Sequence, residues 1–160
     1  MNTADADELV SRFWDELQKV RTGMLGLAGA REAHSQPMTA YFEGPSGPLW
    51  FYTRNDSELL AATGQDERAV FHYVGLDHDL YACVHGKLAP SRDQVAIDRF
   101  WSDEIERWFP QGREDGSVAL LRFDPEEAQI WLPNHSADRS VVRLDSSAEP
   151  PVDVHVTAPL

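Results

Sequence analysis

The 160-residue chain carries 27 Asp and Glu against 14 Lys and Arg, a formal charge of −13, with 42% hydrophobic residues and 10% aromatics. That length and apolar content suit one domain with a single core, and the acidity, uninterrupted by any basic arm, argues against a nucleic-acid partner. Cys83 is the only cysteine, which excludes an intrachain disulfide and the cysteine-rich zinc patterns and fits a reducing, cytoplasmic setting.

Met1 to Glu8 is acidic and lacks a charged region followed by an apolar core, so no signal peptide is expected. No apolar run approaches the roughly 20 residues of a membrane span, and a soluble protein without a membrane partner is expected. Leu9, Val10, Phe13, Trp14, Leu17 and Val20 recur at three- and four-residue spacing and predict a helix, with Asp5 and Glu8 as its capping pair. Met24 to Ala28 reads as a short buried strand.

Pro37 to Glu43 and Leu49 to Thr53 are β-type runs around Gly44-Pro45-Ser46-Gly47-Pro48, which predicts a hairpin. The second run leads into a short helix, Ser57 to Thr63, ended by Gly64. Ala69 to Val74 and Leu80 to Leu88 are two strands across the polar turn Asp77-His78-Asp79. Ser91 with Gln94 reads as a capping box opening one helix through about Phe109, with Val95, Ile97, Phe100, Trp101, Ile105 and Trp108 as its apolar positions.

Val118 to Phe123 and Ala128 to Leu132 close the regular part as two further strands. Residues 1–133 are thus expected to form the domain. Residues 134–160 turn to Ser, Asp and Pro with isolated valines, an extended or partly disordered tail with one added strand around Ser140 to Leu144. Six or seven strands with a minority of helix predict a mainly β fold with peripheral helices, an antiparallel sheet curling into a barrel.

The residues for chemistry are sparse. His34, His72, His78, His85, His135 and His155 show no two-ligand spacing with a third partner, so no metal site is expected. No Gly-x-Ser-x-Gly elbow exists, Cys83 reads as an inert core thiol, and no catalytic acid or base is assigned. The run Asp103 to Glu106 is the solvated face of its helix.

Three ordered clusters carry a family resemblance: Pro37-Met38 with Trp50-Phe51-Tyr52-Thr53 and Ser57, then Trp108-Phe109-Pro110-Gln111-Gly112, then Ile130-Trp131. From about Phe13 to Trp131 the chain is similar to the general stress protein 26 branch of the pyridoxamine 5'-phosphate oxidase-like, FMN-binding split-barrel proteins. The resemblance implies a six-stranded antiparallel split β-barrel, with two subunits pairing as a homodimer and FMN bound at their interface. It also implies a flavin-dependent oxidoreductase linked to general stress, with a nicotinamide electron donor.

Carried over residue by residue, the implied flavin contacts are Gln36, Pro37, Met38, Thr39, Tyr52, Thr53 and Ser57, with Trp108 reaching the flavin of the opposite subunit. Met38, Trp50 and Phe51 read equally well as barrel core, and Trp108 as dimer packing. Two departures concern the phosphate. The family pattern has Arg where this chain has Gln36 and Lys where it has Leu59. A charge-assisted bond supplies roughly 1.5 to 3 kcal/mol, more than a neutral amide and far more than an alkyl group. Arg54, Arg31, His34 and Arg68 are the available substitutes, together with the backbone amides after Ser57, and Arg54 is nearest. The alternative is a structural or ligand-binding dimer that has lost tight FMN binding. Pyridoxamine phosphate oxidation itself is less favoured, because it too needs a cationic grip on phosphate.

Overall fold

This computed structural model describes residues 3–29, 34–133 and 139–145. Helix α1 (Thr3–Lys19) is followed by β1 (Thr22–Leu27), β2 (Gln36–Thr39), β3 (Leu49–Arg54), α2 (Glu58–Ala62), β4 (Glu67–Val74), β5 (Tyr81–Ser91), α3 (Gln94–Phe100), α4 (Asp103–Trp108), β6 (Val118–Trp131) and β7 (Arg139–Arg143). The polar turn before β5 carries Asp77 and His78 in the left-handed region, at φ 62° and 59°. Among the described residues no helix is long and apolar enough to cross a membrane.

The strands are antiparallel and run in the order β2-β1-β4-β5-β6-β3, with β7 paired to β6 off that path. The fold is the expected mainly β split barrel, with seven strands rather than six. One edge of β6 is shared: β3 takes Val118 to Phe123 and β7 takes Glu127 to Trp131. The strand anticipated near Ser140 is therefore present as β7. Residues 134–138 and 146–160, with His135 and His155, lie outside the described residues, as does Arg31.

The predicted hairpin is corrected. β2 pairs with β1, β3 pairs with β6, and the two expected hairpin partners meet only at one bridge, where Tyr41 and Trp50 exchange backbone hydrogen bonds of 2.8 Å each way. Because β2 and β3 lie at the two ends of the sheet path, that bridge joins the sheet's ends, and the closure leaves fewer edge groups unpaired.

Three further boundaries differ. α1 begins at Thr3, so Asp5 lies in its first turn instead of capping it, where its charge still suits the helix dipole. β5 continues to Ser91, opposite Leu120, and the cap of α3 is Asp93, whose carboxylate accepts from the Val95 amide at 3.0 Å. The single helix expected to Phe109 is broken after Phe100, and Ser102 caps α4.

The two predicted C-terminal strands are one. β6 runs through Pro125, opposite Gly86, next to a register shift between His85 and Gly86. A Cβ at Gly86 would sit 2.3 Å from the Asp124 carbonyl oxygen, so only glycine lets the two backbones approach this closely.

Two cores result. The barrel interior joins Phe51, Phe71, Tyr73, Leu88, Leu121 and Phe123 to Phe13, Trp14 and Leu17 of α1. Each of these large side chains contributes roughly 1.5–3 kcal/mol on burial. The second core lies between the barrel wall and the α3–α4 pair, with Tyr41, Trp50, Tyr52 and Leu120 against Ala96, Ile97, Ile105 and Phe109.

Candidate functional site

β2 stands at one end of the sheet path, and its alternation sets which side chains are available. Met38 points inward into the main core, opposite Gly23, where a Cβ would strike the Phe71 ring. Pro37 is exposed opposite Met24, and Thr39 Oγ1 lies 3.1 Å from Thr22 Oγ1 on the outward side. Gln36 is half-buried opposite Leu25.

The β3–α2 junction supplies the second group. Thr53 is buried at the end of β3, Arg54 is exposed, and Ser57 caps α2, its Oγ accepting from the Leu60 amide at 3.1 Å. His34 Nδ1 lies 3.8 Å from Glu58 Oε2, which places the approach to β2 beside the first turn of α2. The structure thus brings the Gln36 and Ser57 neighbourhoods together, as a shared site requires.

The charge at this junction is not that of an anion clamp. Arg54 Nε donates to Asp56 Oδ1 at 3.1 Å, and that bond holds the Asp56 carboxyl below the usual range. Arg68 is paired with Glu126, and His34 faces Glu58. Leu59 is fully buried in the main core, facing the barrel interior. Of the candidates for the missing Arg and Lys, Arg54 and Arg68 are each paired with a carboxylate, and His34 lies beside Glu58.

Tyr52 and Trp108 lie on the α3–α4 side. The Tyr52 hydroxyl donates to the Ile97 carbonyl at 2.5 Å, and its ring meets Tyr41 and Trp101 edge-on at 5.4 and 6.0 Å. Burial above all pushes its ionisation well above the ordinary range. Trp108 is 46% exposed at the end of α4. The neighbouring Trp101, Glu106, Gln111 and Arg113 line a polar cleft of about 420 Å³.

The structure adds a surface that the sequence reading did not single out. Across β1, β4, β5 and β6, Met24 pairs with His72, His72 with Cys83, and Cys83 with Gln129; Tyr81 lies between Val74 and Trp131. These residues alternate with the buried Leu25, Phe71, Tyr73, Ala82, Val84 and Ile130, so they form the outward face. Met24, His72, Val74, Tyr81, Cys83 and Trp131 line a mostly apolar groove of about 450 Å³. Strands apolar on both alternations are the signal that could have revealed it.

Cys83 therefore belongs to this outward groove and not to the core, a correction to the sequence reading. Burial pushes its thiol up, which keeps it protonated and a poor nucleophile. Among the described residues no group of three His, Cys, Asp or Glu could hold a metal ion. Aromatic side chains line both the outward groove and the α3–α4 cleft, whereas among the described residues no unpaired cation is gathered at the β3–α2 junction.

Comparison with known proteins agrees with this geometry. The family described as pyridoxamine 5'-phosphate oxidase like matches residues 8–148. A solved structure of the general stress FMN/FAD binding protein from Xanthomonas citri is 38% identical, with a TM-score of 0.74 over 92% of this chain and 97% of that one. General stress protein 26 of Bacillus subtilis is 28% identical over 117 residues, 70% of this chain and 80% of the relative. The general stress protein 26 structure from Bacillus anthracis shares the fold at 22% identity, with a TM-score of 0.64 over 86% of this chain and 99% of that one. With the split-barrel path, the three sequence clusters and these likenesses in agreement, the chain belongs to the general stress protein 26 branch of the pyridoxamine 5'-phosphate oxidase-like family.

Proposed function

We propose that this protein works as a homodimer that holds a flavin of the FMN type at the subunit interface, as a flavin-dependent oxidoreductase of the general stress response. The observation that carries the reading is the continuity of two surfaces. Pro37 on β2 pairs with Met24, and Met24 opens the apolar outward groove with Val74, Tyr81 and Trp131. A second copy seated on that face would cover exposed apolar surface and close over the β2 edge.

The β2 edge from Gln36 to Thr39, with Thr53 and Ser57, would hold the flavin, and the second copy would supply Trp108; the side chains of Met38 and Tyr52 stay in the two cores and back the site. The flavin itself supplies the electron transfer, from a nicotinamide donor or to oxygen. The chain's own work is to position the ring, exclude water with its aromatic side chains, and orient polar groups at the ring edge. The Xanthomonas citri relative is called an FMN/FAD binding protein, which supports a flavin ligand for a chain 38% identical to it.

One observation favours a second reading. Leu59 fills the barrel interior, and Arg54, Arg68 and His34 all face carboxylates. A structural or ligand-binding dimer that no longer takes flavin tightly would look the same. Calorimetric titration of the purified protein with FMN, after recording its visible spectrum, separates the two. Binding in the micromolar range or tighter supports the flavoprotein; heats no larger than dilution leave the second reading.

A further inference from the structure

We infer that the flavin site of this chain recognises the ring and its polyol chain and does not select for the 5'-phosphate, so that riboflavin binds about as well as FMN. The inference rests on the flavin-binding reading above and narrows its ligand. Near neutral pH a phosphate monoester carries between one and two negative charges, so an unpaired cation, more than the end of the five-residue α2 whose Leu60 amide is already capped by Ser57, is what would distinguish FMN from riboflavin. At the β3–α2 junction Arg54 is bonded to Asp56 at 3.1 Å, and Glu58 lies 3.8 Å from His34.

Arg54 is thus paired with Asp56, and the exposed Glu58 beside His34 adds a second carboxylate to the junction, within a chain of net charge −13. Among the described residues, the second position at which the family pattern carries a cation holds Leu59, buried in the core. A dianion brought here must compete with Asp56 for Arg54 and stand near Asp56 and Glu58, and both effects reduce what the phosphate would gain. A neutral polyol meets neither cost. Its hydroxyls can bond to Ser57 and to Gln36, whose amide is both donor and acceptor.

The test is side-by-side calorimetric titration of the full chain with riboflavin and FMN, repeated on the exposed double variant Asp56→Asn, Glu58→Gln. The expected result is dissociation constants within about fivefold of each other for the native chain. The variant, with Arg54 released, should bind FMN about fivefold or more tighter while riboflavin is unchanged. Native FMN binding that exceeds riboflavin binding by more than about fivefold overturns the inference and leaves the flavin reading standing. A variant that leaves the FMN-to-riboflavin ratio unmoved also overturns it. Absence of binding for both ligands removes the flavin reading, and the inference with it.

Discussion

Tyr52 and Ile97 are tied by a buried hydrogen bond of 2.5 Å, from the tyrosine hydroxyl to the helix carbonyl, which fastens α3 to the outward side of β3. Both residues belong to the second core, so the bond lies where water cannot replace it. Tyr52→Phe keeps the ring contacts with Tyr41 and Trp101 and leaves the carbonyl unsatisfied. The expected loss is about 1–2 kcal/mol in urea unfolding, with little change in the slope of the transition. An unchanged midpoint would show that the carbonyl finds another donor.

Much of the barrel was legible because its signals are local. Phe13, Trp14 and Leu17 repeat at helical spacing, and Ala69, Phe71 and Tyr73 alternate with Val70, His72 and Val74. Pairing was less legible, since nothing local in Pro37 to Glu43 says that its partner is β1 and not the next strand. Ser102, followed by the acidic Asp103 and Glu104, was a readable second cap, but the continuing apolar spacing of Ile105 and Trp108 masked it. The expected break between Phe123 and Ala128 contains Pro125, and the Gly86 opposite it lets the strand continue through that position. At the site, residue identities were legible and orientations were not. A five-residue helix has too little periodicity to show that Leu59 faces inward.

That orientation decides what happens when the family's cation is put back. Leu59→Lys places an ammonium where a fully buried alkyl chain now packs, among the main core residues. The expected cost is about 3 kcal/mol or more, read as a lower urea midpoint, with no gain in FMN affinity. Gln36→Arg, at a half-buried position on an end strand, is expected to leave the midpoint nearly unchanged. A stable Leu59→Lys protein that binds FMN tenfold more tightly would mean that the side chain swings out of the barrel, contrary to the packing seen here.

The buried tyrosines predict an alkaline limit to stability. Burial first, and then the Glu104 carboxylate, push Tyr41 up to about 12. Tyr52 and Tyr73 are raised as well, Tyr73 by burial, Glu16 and Asp79 in that order. An exposed tyrosine ionises near pH 10, so above that pH the unfolded chain loses protons that the folded chain keeps. The stability these hydroxyls supply is full below about pH 10 and is lost as pH rises through about 12 for Tyr41. Urea midpoints measured from pH 9 to 11.5 should fall past pH 10, and Tyr41→Phe should make that fall shallower. Equal pH slopes for the two proteins would remove Tyr41 as a cause.

The proposed dimer face can be separated from general surface hydrophobicity by two substitutions. Val74 is 39% exposed on the outward groove, and Val95 is 64% exposed on α3, away from it. Both point to solvent in one chain, so Val74→Glu and Val95→Glu should each fold with nearly the native urea midpoint. Only Val74→Glu places a carboxylate in the apolar centre of the paired face, once from each copy, where it is desolvated without a partner. Light scattering behind size-exclusion chromatography should show the one-chain mass for Val74→Glu and twice that mass for Val95→Glu. Dimerisation weakened by at least about a hundredfold is the expected size of the effect. If Val74→Glu stays dimeric while Val95→Glu dissociates, the subunits pair through the helical side, and Trp108 is then a contact between copies in place of a wall of the flavin site.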